Sequence, residues 1–225
     1  MQSLQIGNED KTNKNNETGG FIGENSNNTS HKIDENEVKN PIIVEKFIDC
    51  SDKFGIGYLL SNGDIGIYFN DGTKMILIKN TNCIYYINKN NDNKIKINYK
   101  GSISNQLEGK RKILKLLYKN LIKNVKEKQD FDLNPELNEN NINGYVIKWE
   151  KTQYASFFLL TSKLIQVKYN DKTEILFFVH EKYIQYIDKN KKKYKEIFDN
   201  SKPIQFKNEE INQRVIYARN ILSKK

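Results

Sequence analysis

The chain has 225 residues, 37% hydrophobic and 11% aromatic, with a formal net charge of +9; this suits one or two domains with small cores. Cys50, Cys83, His31 and His180 are the only cysteines and histidines, too few for a disulfide scaffold or a zinc site, and a reduced intracellular compartment fits best. No apolar run nears the ~18 residues of a membrane-spanning helix, and the N-terminus lacks the apolar core of a signal peptide. The positive charge attracts anions, but Lys, Asn and Ile are over-used along the whole chain, which reads first as compositional bias.

Residues 1–40 are rich in Asn, Glu, Lys, Gly and Ser. They cannot bury enough surface to offset the entropy of ordering, so a disordered lead-in is expected. Pro41–Val44 is expected to form a short extended arm. Phe54, Ile56 and Tyr58 then alternate with Gly55, Gly57 and Leu59, and Ile65, Ile67 and Phe69 alternate after a Ser61-Asn62-Gly63-Asp64 turn. Asn70-Asp71-Gly72 and Asn88–Asp92 mark further turns, with strands over Lys74–Lys79, Cys83–Ile87 and Lys94–Tyr99. Short strands at this spacing predict an antiparallel meander. Gly55-Ile56-Gly57 is read as a strand that another chain segment approaches closely, since no third glycine or helix follows to make a phosphate loop.

Over Lys110–Lys128 the period becomes helical. Leu114, Leu117, Leu121 and Val125 form an apolar stripe, widened by Ile113 and Leu116, and Arg111 and seven lysines populate the remainder. This predicts an amphipathic helix with a solvated basic face. Residues 131–144 read as a linker. A second set of strands runs from Tyr145, through Trp149, to about Lys195, and Lys207–Ser223 closes the chain as a helix with Ile211, Val215, Ala218 and Leu222 buried.

The two halves are copies. A shift of 100 positions lays Phe158–Asn190 on Tyr58–Asn90 without a gap. Leu59, Leu60, Ile65, Asn70, Asp71, Thr73, Ile84, Tyr86, Ile87, Lys89 and Asn90 recur as Leu159, Leu160, Ile165, Asn170, Asp171, Thr173, Ile184, Tyr186, Ile187, Lys189 and Asn190. The matches fall on apolar and turn positions that set a fold, so the chain is a tandem of like modules. The expected organisation is a lead-in at 1–40, a first module at 41–130, a linker at 131–144 and a second module at 145–225. Each module is an antiparallel sheet followed by a helix, an α+β fold whose sheets are expected to pack through helices and inner faces.

Phe47-Ile48-Asp49-Cys50-Ser51-Asp52-Lys53-Phe54-Gly55-Ile56-Gly57-Tyr58 resembles the opening W-V-D-Y-S-D-K-Y-G-L-G-Y of the polo-box domain, the C-terminal targeting region of polo-like serine/threonine kinases. Phe69–Lys74 resembles the F-N-D-x-T-R turn of that family, and Tyr186-Ile187-Asp188 and Tyr217-Ala218-Arg219 resemble its Y-I-D and Y-A-R. The resemblance covers about Val44–Leu222. It implies six strands and a helix per box, and recognition of phosphoserine or phosphothreonine peptides of cell-cycle proteins between the boxes. A tethered kinase would thereby be delivered to centrosomes, spindle poles and kinetochores, in cytoplasm or nucleus.

By the same resemblance, the phosphopeptide site comprises Phe47, Asp49, Lys151, Lys172, Glu174 and Lys191. Phe47 stands where the family has a tryptophan, which removes an indole N–H donor. Lys172 replaces a phosphate-gripping histidine and keeps positive charge, whereas Glu174 replaces a lysine and reverses it. Lys151 and Lys191 stand where the family has basic residues near the groove. No H-R-D, D-F-G or V-A-I-K set occurs, so no kinase active site is expected in this chain, and no metal or other cofactor. Glu174 favours an alternative, a phosphate-independent interaction or dimerisation scaffold. A basic nucleic-acid binder ranks below both, because the aromatics occupy alternating core positions and form no stacking surface.

Overall fold

The structure, a computed structural model, describes residues 40–79, 81, 83–90, 93–123, 142–198 and 205–224. The expected lead-in at 1–40 and linker at 131–144 lie almost wholly outside the described residues. Strands β1 (Val44–Cys50), β2 (Gly55–Leu60), β3 (Ile65–Phe69), β4 (Lys74–Leu77), β5 (Cys83–Ile87) and β6 (Lys94–Asn98) precede helix α1 (Asn105–Ile122). Strands β7 (Val146–Lys151), β8 (Ala155–Leu160), β9 (Ile165–Tyr169), β10 (Glu174–Phe178), β11 (Tyr183–Ile187) and β12 (Lys193–Ile197) precede helix α2 (Glu209–Leu222). Each set of six strands forms one antiparallel meander in sequence order.

Strand alternation divides the apolar residues between two faces. On the outer face of the first sheet, Ile65, Ile67, Phe69, Met75, Leu77 and Ile84 pack with Leu114, Leu117, Tyr118 and Leu121 of α1. On the second, Phe157, Val167, Ile175, Phe177 and Ile184 pack with Ile211, Val215 and Ala218 of α2. The alternate residues form a third cluster, in which Val44, Ile56, Tyr58 and Leu60 meet Val146, Phe158, Leu160, Leu176 and Phe178. Interior strands covered on both faces are therefore wholly buried, as in β2, β4 and β10.

Two expectations change. The helices do not join the sheets; they cover the outer faces, and the inner sheet faces meet directly. A short helix can shield only one face of a six-stranded sheet, so the other apolar face is left for the second sheet. In addition, α1 starts five residues before the expected Lys110, with Leu107 packed on the core. Its buried stripe includes Arg111 and Tyr118 but not Leu116, which is 55% exposed. The Arg111 guanidinium lies under the chain after β6, donating to the carbonyls of Tyr99 (3.1 Å) and Gly101 (2.6 Å). The close approach expected at Gly57 is made by α1: a Cβ there would lie 2.8 Å from Leu117 Cδ1.

The recurring Asn-Asp-x-Thr turns anchor both modules alike. Asn70 Nδ2 donates to the Ser51 carbonyl and Asn170 Nδ2 to that of Gln153, both at 2.8 Å. Asp71 and Asp171 accept from the backbone N–H and hydroxyl of Thr73 and Thr173. Each helix then sends a cation to the turn, Lys110 to Asp71 and Arg214 to Asp171. The first strands depart from the shift of 100. Val44, Lys46 and Phe47 pair with Leu60, Leu59 and Tyr58, as Val146, Lys148 and Trp149 pair with Leu160, Leu159 and Phe158. Phe47 and Trp149 are thus equivalent, 102 positions apart.

Candidate functional site

Residues directly opposite on neighbouring strands share a face of a sheet. In the second sheet Lys151 pairs with Ser156, Ser156 with Lys168, and Lys168 with Glu174. This polar row crosses four strands of the inner face, roughly 14 Å at ~4.8 Å per strand. It faces β1 of the first module, whose Val44, Phe47 and Asp49 are opposite the inner-face residues Leu60, Tyr58 and Ile56. The seam between the sheets ends in charged groups here rather than apolar ones.

Three sets of contacts close that seam. Asp49 and Lys151 pair across it at 2.6 Å, with Asp49 also accepting from Ser51 N and Oγ. The Phe47 ring meets Phe158 edge-on, centroids 5.2 Å apart. Gln166, fully buried, grips the Val44 peptide with both ends of its amide: Val44 N–H donates to Oε1 (2.7 Å), and Nε2 donates to the Val44 carbonyl (3.0 Å). The mirror contact exists on the other side, where Val146 N–H donates to the hydroxyl of buried Tyr58 (3.2 Å). Gly66, the repeat partner of Gln166, makes room for that Tyr58 ring; a Cβ on it would lie 2.1 Å from Tyr58 Cζ.

Glu174 is the centre of the charge at this rim. One carboxylate oxygen, Oε2, accepts from Gln166 Nε2 (2.9 Å) and pairs with Lys168 Nζ (2.9 Å); the other, Oε1, pairs with Lys191 Nζ (3.1 Å). Lys168 also donates to the Val44 carbonyl (3.1 Å). Burial pushes the Glu174 carboxyl up, but the Lys168 charge and the hydrogen bonds from Lys168, Gln166 and Lys191 outweigh it and hold the group below its ordinary 4.5. Lys168 is lowered by burial, which Glu174 offsets only in part. Asp49 is likewise raised by burial but lowered overall, chiefly by its bonds from Lys151 and Ser51.

The six expected site residues thus fall into two joined pairs, Asp49 with Lys151 and Glu174 with Lys191, beside Phe47. Lys172 stands apart: it is exposed at the tip of the β9–β10 turn with φ 72°, and no hydrogen bond or ion pair engages its side chain among the described contacts. Sequence reasoning missed Gln166, Lys168 and Ser156, because polar alternates in a strand look solvent-facing when the second face has no known cover. The repeat carried the signal. Gly66, Tyr68 and Lys74 become Gln166, Lys168 and Glu174, a concerted exchange at three inner-face positions. His180 is exposed, and both cysteines are free. Among the described residues no cluster of three or more His, Cys, Asp or Glu could hold a metal. No described helix is long and apolar enough to cross a membrane.

Fold and seam together define a duplicated α+β module with a charged seam where its halves meet. The family profile described as "POLO box duplicated region" matches residues 52–110 and 152–215, and the chain belongs to the polo-box family. It is 32% identical over 151 residues to the probable serine/threonine-protein kinase CCRP1 of Zea mays, covering 66% of this chain and 24% of that protein. To the serine/threonine-protein kinase polo of Drosophila melanogaster it is 28% identical over 148 residues, 66% of this chain and 25% of that protein. The chain therefore spans about a quarter of the length of these curated relatives. Its fold is shared with the polo-box domain of budding yeast Cdc5 in complex with a Spc72 phosphopeptide, at TM-score 0.55 and 19% identity over 71% of this chain and 60% of that one.

Proposed function

We propose that this chain is the phosphoserine/phosphothreonine-peptide-binding module of a polo-like kinase. The observation that carries the reading is the gathering of Lys151, Lys168 and Lys191 on one rim of the seam beside Phe47, with Lys172 unengaged on an adjacent turn. The likeness to a phosphopeptide-bound relative supports it. A peptide lies along the rim, its backbone against Phe47 and its phosphate toward Lys172. Delivery of the kinase to centrosomes, spindle poles and kinetochores belongs to the same proposal. Catalysis with ATP and magnesium is the task of a kinase domain in the parent protein.

The test is fluorescence polarisation of a degenerate Ser-pThr peptide, beside its unphosphorylated control, on the wild type and Lys172→Ala. Phosphate-dependent binding that weakens about tenfold in Lys172→Ala is expected, since one charged hydrogen bond is worth about a decade. Equal affinity for both peptides refutes the reading. One observation favours a second reading, a phosphate-independent scaffold: the Glu174 carboxylate already occupies Lys168 and Lys191. A concentration-dependent dimer by light scattering, with no phosphate preference, would establish it.

A further inference from the structure

The two oxygens of Glu174 have different surroundings. Oε2 is locked inward by Gln166 and Lys168, whose side chains are 0% and 15% exposed. Oε1 meets Lys191, whose side chain is 71% exposed although its partner is only 7% exposed. Lys168 cannot leave the carboxylate without stranding a buried charge, and it is also held by the Val44 carbonyl. Lys191 can leave at little cost, because an ion pair with one exposed member is worth less than about fivefold in equilibrium constant.

Its backbone is nonetheless fixed. Lys191 N–H donates to the Asp188 carbonyl (2.9 Å), and Asp188 Oδ1 accepts from the N–H of Asn190 and Lys192. The β11–β12 turn so anchored lies at the same end of the sheet as the β9–β10 turn of Lys172, roughly 10 Å away at two strand spacings. Both lysines have positive φ, 67° and 72°. The first module has Gly72, with φ 85°, at the position of Lys172. Lysine here accepts a conformation glycine adopts freely, and both side chains root beside the same rim.

Resting on the reading that phosphate binds at this rim, we propose that Glu174 is an internal competitor of the phosphate: its carboxylate holds Lys191 in the free chain, and a phosphopeptide seated on Lys172 draws Lys191 away. A phosphate carries up to twice the charge of a carboxylate and three acceptor oxygens, so it can take the lysine; the exchange makes binding weaker than the lysines alone would give. Glu174 therefore sets the affinity threshold of the module. Lys168 and Gln166 keep the carboxylate charged and in place when Lys191 has left.

The test measures a fluorescein-labelled Ser-pThr peptide and its unphosphorylated control on the wild type, Glu174→Gln, Lys191→Gln and the double variant, each with a thermal melt. Glu174→Gln is expected to tighten phosphopeptide binding about two- to fivefold and leave the control peptide unchanged. With Lys191→Gln present, that gain should disappear. Phosphate-dependent binding seen only after Glu174→Gln refutes the phosphopeptide reading of the wild type and the proposal with it. Phosphate-dependent wild-type binding that Glu174→Gln fails to tighten overturns the competitor role and leaves the phosphopeptide reading standing. No phosphate-dependent binding by any variant overturns both. Should Glu174→Gln unfold the chain by orphaning Lys168, Glu174→Gln with Lys168→Met removes both buried charges and carries the same comparison with and without Lys191→Gln.

Discussion

Replacing Gln166 with Leu isolates the force that joins the two modules at β1. The side chain is fully buried and makes three hydrogen bonds, two to the Val44 peptide and one to Glu174. Leucine has nearly the same volume, so no cavity opens. The Val44 carbonyl and Glu174 Oε2 keep Lys168. Val44 N–H, at a residue with 0% exposure, loses its acceptor. An unsatisfied buried N–H costs about 1–3 kcal/mol, and a lost bond to a charged acceptor about 1.5–3 kcal/mol. The apolar replacement returns about a third of that, leaving a net loss of about 3 kcal/mol. For a folded region of this size the melting temperature should fall by about 6–12 °C. Urea unfolding at pH 7 provides the free energy, and amide hydrogen exchange at Val44 should lose its protection. A loss within the ~0.5 kcal/mol of an ordinary surface substitution would refute the assignment of Gln166 as the bond between modules.

Four further outcomes follow from the same geometry. Tyr58→Phe removes the acceptor of Val146 N–H and should destabilise by about 1–3 kcal/mol in urea unfolding, while Gly66→Ala should cost at least as much, because its methyl group would overlap the Tyr58 ring. Lys172→Gly copies the first module; it should leave stability within about 1 kcal/mol of the wild type yet lower phosphopeptide affinity about tenfold, and a large loss of stability would show that Lys172 serves the fold. Acid should weaken the chain: Asp49, Asp71, Asp171 and Glu174 are each raised by burial but held below their ordinary 3.8 or 4.5 by hydrogen bonds and neighbouring cations. The folded chain binds fewer protons than the unfolded one, so their stabilisation is complete above about pH 4.5 and drains as pH falls through the lowered values; Asp64, raised by burial, opposes this trend. A urea midpoint as high at pH 3 as at pH 7 would contradict that balance.

Strand positions, turns, the duplication and the α+β class were legible from residue order, because each depends on neighbours a few positions apart. Alternation sets a strand, Asn-Asp-x-Thr closes a turn by bonding its own backbone, and a period of 3.6 marks a helix. The start of α1 was less legible, since packing of Leu107 and Arg111 outweighs weak local preferences. Which face meets what could not be read this way. The helix and the opposing sheet both require apolar residues, so the pattern of β2 or β8 is the same whichever partner each face takes. The equivalence of Phe47 and Trp149 was hidden by a two-residue offset that only strand register exposes. Glu174 shows the limit most clearly: its identity and its place in the turn pattern were plain, but whether it repels a phosphate or is already neutralised depends on Lys168, Gln166 and Lys191. Those partners come from another strand and a separate turn, and Coulomb and hydrogen-bond energies depend on distance in space. The chain alone determined the modules; the packing of one sheet on the other decided what their seam can bind.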